Sequence, residues 1–377
     1  MPASLVTALG ISVAAHLAVY GLTPVLSLHL VALGGSSTQV GLLFSVFSLV
    51  AVVLRPVAGA WIDRQGVRRA LLPGAVLVVL ASLGFQAVTG PPALIALMAC
   101  FGVGYGLATM AAAVLAASGP AERRAGALSI YYLAAPVSMA AATPLGLWLF
   151  QHVGVGANFT MVTVLGLAAA ACVLRPSRPV MARRATPAPG ASSLWSRGAV
   201  PLSAVLAVAA MGQSALYAFL PLHVTSHGHE RHLPWFFGVY SGGMIVLRVA
   251  VSRIADRWGR SQILLPALGS LAVGFAVLTA PPTPPRLAVA AVLLAAGSSA
   301  LYPTLVALVV DRVPDRERGV AMGTVSGAWD LGVFAGSLLI AAVVEYSSHG
   351  AGFATAAALL VIALAALVLV ERRHAGP

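Results

Sequence analysis

The sequence predicts an all-α membrane protein of twelve transmembrane helices, arranged as two parallel six-helix repeats. Charged residues make up 8% of the 377 residues and apolar residues 59%, with a mean hydropathy of +0.95, whereas soluble proteins contain about 25% charged residues. Apolar segments of membrane-spanning length recur along the whole chain, and the two halves repeat one another. This composition excludes a water-soluble two-domain enzyme and a disordered or fibrous protein.

Twelve apolar segments are long enough to cross the hydrocarbon core, which is about 30 Å thick and takes roughly 20 residues. They lie near 5–31, 39–62, 70–89, 93–117, 126–151, 156–174, 199–225, 234–252, 262–280, 287–310, 320–346 and 351–370. The longest break between them is rich in Arg, Pro, Ser and Ala and divides the spans six and six. We therefore predict an N-terminal half over 1–174, a cytoplasmic linker over 175–198 and a C-terminal half over 199–377.

The arginines predict the orientation. Eighteen of the 22 lie in the linker, in the C-terminal tail or in loops after even-numbered spans, whereas two follow odd-numbered spans and two lie inside spans. Because basic loops stay in the cytoplasm, we expect both termini inside and a multi-pass protein of the bacterial inner membrane. The net charge of +12 could suggest nucleic-acid binding, but this distribution favours a lipid bilayer and no nucleic-acid partner.

The cysteines and the histidine-rich segment are not predicted to bind a cofactor. Cys100 and Cys172 lie in apolar runs and are interpreted as small core residues. Four histidines within ten residues could bind zinc, nickel or copper, but nothing fixes this segment and Arg231 would repel a cation. We interpret it as a solvated periplasmic loop and expect no metal, no cofactor and no enzymatic activity. The four are His223, His227, His229 and His232.

The two halves of the sequence can be overlaid residue by residue. A shift of 193 residues overlays the second span on the eighth, and it matches an intramembrane Arg, an Asp-Arg pair and a Gly. Chance would rarely align all three, so the pattern predicts two parallel repeats. The shift places Phe44-Ser-Val-Phe-Ser48 on Phe237-Gly-Val-Tyr-Ser241, Arg55 on Arg248, Asp63-Arg64 on Asp256-Arg257 and Gly66 on Gly259.

Three charged side chains lie inside spans. Arg55 and Arg248 lie about 12 Å into the membrane, and Asp330 lies about 15 Å in, the only carboxylate deep inside any span. Lipid-facing charges at such depths are costly. We predict that the arginines face a cavity or an interface, the alternative being that they snorkel to the membrane surface. For Asp330 we predict proton or substrate handling, the alternative being a structural ion pair.

The segment Gly59–Arg69, G-A-W-I-D-R-Q-G-V-R-R, resembles the cytoplasmic motif G-x-x-x-D-R-x-G-x-R-R of the major facilitator superfamily. Ser252–Arg260 is a degenerate second copy, and Leu301–Pro314 resembles the tenth helix of that family. The resemblance covers essentially the whole chain and implies the twelve-helix fold of these transporters. Ala142–Gly146 retains part of the motif of drug and metabolite exporters in span 5, whereas Cys100 lies where many proton-coupled members carry an arginine.

The resemblance implies roles for individual residues. Asp63 and Asp256 would each meet the N-terminus of a helix in the opposite half and so favour the outward-open state. The gating motif then comprises Gly59, Asp63, Arg64, Gly66, Arg68, Arg69, Asp256, Arg257, Gly259 and Arg260. Spans 2 and 11 are neighbours in the family, which implies that Arg55 and Asp330 form a proton-coupling pair.

Helices 1 and 7 of the family line a central cavity, so we predict that polar and aromatic side chains there contact substrate. Any of them could instead be a packing residue. The candidates on helices 1 and 7 are His16, Tyr20, Gln213 and Tyr217, and those on other spans are Tyr131, Tyr132, Arg248, Tyr302 and Trp329.

Together these features predict a monomeric secondary transporter that exports a small metabolite or drug-like molecule by alternating access. Proton exchange is the expected drive, because the sequence has no ATP-binding motif. A proton-coupled importer of a sugar or organic anion and a uniporter remain alternatives, and the two buried arginines would suit an anion. A channel would need a continuous pore and a filter, whereas the parallel repeat predicts alternating access. A membrane enzyme would need a catalytic cluster.

Overall fold

The computed structural model describes residues 3–118, 121–174, 195–314 and 317–375. The chain divides into two compact units, Met1–Ala185 and Thr186–Pro377, which are described separately. The division falls inside the predicted linker, of which residues 175–194 lie outside the described residues, so the bounds of the two halves stay a prediction. Immediately before the C-terminal helices, the backbone N–H of Ser196 donates a hydrogen bond to Thr324 Oγ1 at 3.0 Å.

The described residues of the N-terminal unit form seven α-helices. They are α1 (Ala3–Ala32), α2 (Ser37–Gln65), α3 (Val67–Ala87), α4 (Pro91–Ala116), α5 (Ala121–Tyr132), α6 (Ala134–His152) and α7 (Val155–Leu174). Local sequence fixes where α2 begins. The Ser36 N–H donates to Gln39 Oε1 at 3.0 Å, and the Gln39 N–H donates to Ser36 Oγ at 3.3 Å. This reciprocal cap satisfies two backbone donors that a helix start otherwise leaves unpaired.

The described residues of the C-terminal unit form six α-helices and one 3₁₀ turn at Glu230–His232. The helices are α8 (Val200–Ser226), α9 (Leu233–Trp258), α10 (Arg260–Val277), α11 (Pro284–Arg312), α12 (Arg318–Tyr346) and α13 (His349–Ala375). Residues 195–314 and 317–375 contain no strand, and neither do the described residues of the N-terminal unit.

The prediction of an all-α fold with twelve membrane helices is confirmed. Among the described residues, eleven helical segments have the length and apolar composition of membrane spans, with Gly126–His152 counted as one. The 26-residue helix α9 supplies the twelfth. Spans 1–4 are therefore α1–α4, span 5 is α5 with α6, span 6 is α7, and spans 7–12 are α8–α13.

The fifth span differs from its prediction over 126–151. The helix begins at Ala121 and is interrupted at Leu133. Pro136 explains the interruption, because it has no N–H to donate to the carbonyl of Tyr132 and its ring would collide with that carbonyl. Its overlay partner under a shift of 194 residues is Asp330, and the corresponding helix α12 is continuous.

Two glycines mark equivalent turns of the repeat. Gly66 separates α2 from α3 with φ of 86°, and Gly259 separates α9 from α10 with φ of 90°. Side chains disfavour positive φ, whereas glycine adopts it without steric cost. The two glycines that the shift of 193 residues overlays therefore have nearly the same backbone conformation.

Close packing of the first helix of each unit also repeats. Helix α1 packs against α6 and α7, and α8 packs against α12 and α13. The buried Asn158 in α7 donates through Nδ2 to the carbonyls of Gly21 at 3.0 Å and Gly146 at 3.2 Å. An amide hydrogen bond between helices contributes about 0.6–2 kcal/mol in a membrane protein, so Asn158 ties α1, α6 and α7 together.

Candidate functional site

An aromatic cluster in the N-terminal unit surrounds the middle of α1. The ring of His16 lies 6.1 Å from that of Tyr20 and 5.6 Å from that of Tyr105 in α4, and Phe47 in α2 lies 5.6 Å from Tyr105. His16 Nδ1 lies 2.7 Å from the carbonyl oxygen of Ser12. The N–H at Nδ1 therefore donates to that carbonyl, and Nε2 of the neutral ring remains an acceptor.

Two other candidates of this unit have different surroundings. Tyr131 is buried, and its hydroxyl donates to the carbonyl of Thr109 at 2.6 Å, which joins α5 to α4. Tyr132 is 56% exposed, and its ring lies 5.5 Å from Tyr131. Tyr131 thus has a packing contact in this structure, and its predicted contact with substrate stays a prediction.

The C-terminal unit holds a hydrogen-bonded chain across three helices. The hydroxyl of Tyr240 in α9 donates to Ser298 Oγ in α11 at 3.1 Å, and Ser298 donates to Gln213 Oε1 in α8 at 3.1 Å. Tyr217 stacks on Phe237 with ring centroids 5.5 Å apart and meets Tyr240 edge-on at 6.4 Å. The chain fixes the orientation of the Gln213 amide, because its oxygen accepts from Ser298 and its nitrogen is the donor.

Sequence reasoning missed five members of these clusters, namely Phe47, Tyr105, Phe237, Tyr240 and Ser298. The repeat carried a signal for four of them, because the shift of 193 residues places Phe47 on Tyr240 and Tyr105 on Ser298. The rings of Phe47 and Tyr240 each contact an aromatic side chain of the same unit. Phe237 lies in the segment that the same shift overlays on the second span.

A second group in the C-terminal unit joins α11 to the part of α12 that carries Asp330. The hydroxyl of Tyr302 in α11 lies 3.2 Å from Ser326 Oγ, and the Tyr302 ring meets that of Trp329 edge-on with centroids 5.4 Å apart. Asp330 follows Trp329 in α12 and is half-buried, as is Arg248 in α9. The side chain of Arg55 lies outside the described residues, so the predicted pair of Arg55 with Asp330 stays a prediction.

The gating motif is described in part. Arg64, Arg68 and Arg69 are exposed, whereas the side chains of Asp63, Asp256 and Arg257 lie outside the described residues. A Cβ added at Gly59 would have no atom of a neighbouring residue within 4 Å. In the second copy, Arg260 Nη1 lies 2.5 Å from Asp311 Oδ2, which links the start of α10 to the end of α11.

Ionic contacts continue from Asp311 to the last helix. Arg312 Nη2 lies 2.7 and 2.8 Å from the two oxygens of Glu371 in α13. The guanidinium and carboxylate are mostly buried, at 16% and 25% exposed. A charge-assisted contact to both oxygens is stronger than an exposed ion pair. Two ion pairs therefore join α10, α11 and α13 at the same end of the unit.

The histidine-rich segment is only partly the solvated loop that the sequence predicts. His223 is 3% exposed because it belongs to the last turns of α8 and packs against α13, where its ring lies 5.8 Å from His349 and 5.2 Å from Phe353. The predicted span over 199–225 already included this residue, so assigning His223 to the solvated loop was wrong. His227 is exposed. Among the residues that the structure describes, no three side chains form a metal-binding group.

Comparison with known proteins agrees with this architecture. A family model described as the Major Facilitator Superfamily matches residues 8–285 and 232–377. The uncharacterized MFS-type transporter YhhS of Escherichia coli is 25% identical over 352 residues, 88% of this chain and 83% of YhhS. An uncharacterized MFS-type transporter of Mycobacterium tuberculosis is 29% identical over 141 residues, 37% of this chain. That match spans about a fifth (20%) of the Mycobacterium protein.

Among solved structures, the nucleoside transporter NupG matches with a TM-score of 0.75 at 15% identity, over 98% of this chain and 99% of NupG. This likeness concerns the fold alone. The family model covers nearly the whole chain, and the twelve helices repeat as two sets of six. The chain therefore belongs to the Major Facilitator Superfamily.

Proposed function

We propose that the protein exports a small metabolite or drug-like molecule across the bacterial inner membrane by proton antiport with alternating access. The position of Asp330 carries this proposal. It lies 12 residues into the 29-residue helix α12, about 18 Å from the helix start. The same turn of α12 also carries Trp329, a candidate substrate contact whose ring meets that of Tyr302. Ionisable residues at such depth commonly serve proton relays or substrate pathways.

Import of a sugar or organic anion by proton symport is the second candidate, and uniport is the third. Arg248 supports an anionic substrate, because this half-buried guanidinium lies in the membrane helix α9. The outward direction rests on the partial exporter motif Ala142–Gly146 in the fifth span.

Proton flux into proteoliposomes tests the three mechanisms. The purified chain is reconstituted into vesicles loaded with a pH-sensitive dye, and ethidium, adenosine, glucose and citrate are added in turn. Antiport predicts that entry of an active compound makes the lumen alkaline, whereas symport predicts acidification. Active transport of a compound without a pH change would contradict proton coupling and leave uniport. Vesicles without protein provide the control.

We further propose that both termini and the linker are cytoplasmic. A cysteine replacing Ser347, which is exposed between α12 and α13, should react in intact cells with a membrane-impermeant maleimide. A cysteine replacing Ala188 should react only after the cells are permeabilised, since the arginine-rich linker stays inside. Both variants are made without the native cysteines. Labelling of the position-188 cysteine in intact cells would reverse the orientation.

Asp63 is proposed to favour the outward-open state by interaction with a helix N-terminus. Asp63→Asn removes the charge and retains the shape, which should cost that state about 0.3–1 kcal/mol. A reporter cysteine replacing Tyr20, in the middle of α1, should then react from outside roughly two- to fivefold more slowly. The neutral change Gln65→Asn, at an exposed residue of the same turn, is the control. Equal rates for Asp63→Asn and its parent would leave Asp63 as an ordinary turn residue.

A further inference from the structure

A continuous strip of polar and aromatic side chains crosses the C-terminal unit. Ser298 and Tyr302 are four residues apart on α11, so they lie on one helix face a turn apart. Ser298 bonds to Gln213 in α8 at 3.1 Å, and the hydroxyl of Tyr302 lies 3.2 Å from Ser326 in α12. The strip therefore runs from Gln213 to Trp329, the residue before Asp330.

The chemistry of the strip is complementary to an uncharged planar ligand. Its aromatic members, Tyr217, Tyr302 and Trp329, offer ring faces and edges that favour stacking with another ring. Its polar members are an amide and hydroxyls. Gln213 is the strongest recognition group, because its fixed oxygen leaves the amide nitrogen to donate. A donor held in this way pairs with a carbonyl or ring nitrogen at the edge of the ligand.

Charge argues against ionic ligands at this strip. Within the described residues, the side chains that form its bonds and ring contacts carry no charge. A cation or anion bound there would lose its hydration without gaining an opposite charge, which is costly away from water. The strip ends at Trp329, and the carboxylate of Asp330 takes no part in these hydrogen bonds and ring contacts.

We propose that the strip from Gln213 to Trp329 binds uncharged aromatic or heteroaromatic molecules that carry an amide-like hydrogen-bonding edge. The proposal rests on the proposed function in that it names the substrate class of the same transporter. Tyr217 and Trp329 supply stacking surfaces, Gln213 reads the polar edge, and Ser298 orients the Gln213 amide.

Equilibrium binding to the purified full-length chain tests this class without any ion gradient. The probes are 2-naphthamide, 2-naphthoate, 2-naphthylmethylammonium and cyclohexanecarboxamide, which separate charge from aromatic character. Titration calorimetry should show 2-naphthamide binding at least about tenfold more tightly than either charged analogue or the non-aromatic amide. Tighter binding of the carboxylate or the ammonium would overturn the proposal, and so would equal binding of all four or no binding of 2-naphthamide.

Two variants assign the recognition to Gln213. Gln213→Leu should weaken 2-naphthamide by about three- to tenfold, the effect of losing one hydrogen bond. Gln213→Glu should shift the preference toward 2-naphthylmethylammonium. Ser214→Ala is the matched control, because Ser214 is adjacent in α8 but donates within its own helix to the Met211 carbonyl at 2.7 Å. Unchanged binding in both Gln213 variants would overturn the assignment.

The experiments can refute the proposed substrate class and the proposed proton antiport independently of each other. Proton flux with ethidium or citrate but no binding of 2-naphthamide would overturn the substrate class and leave proton-coupled transport standing. Tight binding and transport of 2-naphthamide without any pH change would support the substrate class and contradict proton antiport.

Discussion

Asp330→Asn is expected to abolish proton-driven accumulation of substrate while sparing passive exchange. Asparagine has nearly the same shape as aspartate, but its amide cannot take up and release a proton. Helix α12 and its contacts, including the ring contact between Tyr302 and Trp329 at 5.4 Å, should therefore survive. Uphill transport into proteoliposomes under a pH gradient should fall to the level of protein-free vesicles. Exchange of labelled for unlabelled substrate, with no gradient, should stay within about twofold of the parent.

Glu345→Gln provides the matched control for this experiment. Glu345 belongs to the same helix but is exposed at its C-terminal end, where a lost charge should leave both assays unchanged. If Asp330→Asn still concentrates substrate using a pH difference, Asp330 does not carry the proton. His16 is then the next candidate, because its Nε2 is an acceptor in the middle of α1. If both uphill transport and exchange are lost, the residue serves the transport cycle itself rather than coupling.

Gly336→Ala is expected to disrupt the packing of α12 on α8. A Cβ at Gly336 would lie 2.4 Å from backbone atoms of Met211, and one at Gly332 would lie 2.3 Å from the carbonyl oxygen of Ala207. Backbone atoms cannot move aside as a flexible side chain can. Overpacking typically costs about 1–3 kcal/mol, and this contact lies between two extensively packed helices of the unit. The thermal midpoint in detergent should fall by several degrees, with a smaller yield of monodisperse protein.

Gly323→Ala distinguishes this clash from a general effect of replacing glycine. Gly323 lies in the same helix, and nothing lies within 4 Å of its Cβ position. Alanine there should be neutral or stabilising, because glycine costs about 1 kcal/mol in a helix interior. The two changes are chemically identical, so opposite shifts of the thermal midpoint isolate the interhelical contact. Equal midpoints for the two variants would show that α8 and α12 do not approach so closely in the membrane.

Much of the architecture followed from sequence, because a membrane helix needs a long apolar segment and each half repeats the other in register. The apolar runs predicted all twelve helices, and the turns at Gly66 and Gly259 recur with nearly equal φ. The resemblance of the duplicated motif to that of the Major Facilitator Superfamily predicted the family. These features are local or periodic, so they can be read along the chain.

Tertiary structure alone decided which side chains meet. The bonds from Tyr240 to Ser298 and from Ser298 to Gln213 join residues 58 and 85 positions apart in the chain, and no periodicity encodes such distances. Burial of His223 likewise depends on contact with Phe353 in α13, the last helix of the chain. The break in the fifth span has a local cause in Pro136, but its place at Leu133 appears only in the backbone. The sequence by itself thus determined the helices, their repeat and the family. Tertiary packing determined the strip from Gln213 to Trp329, because hydrogen bonds and ring contacts between helices depend on three-dimensional packing.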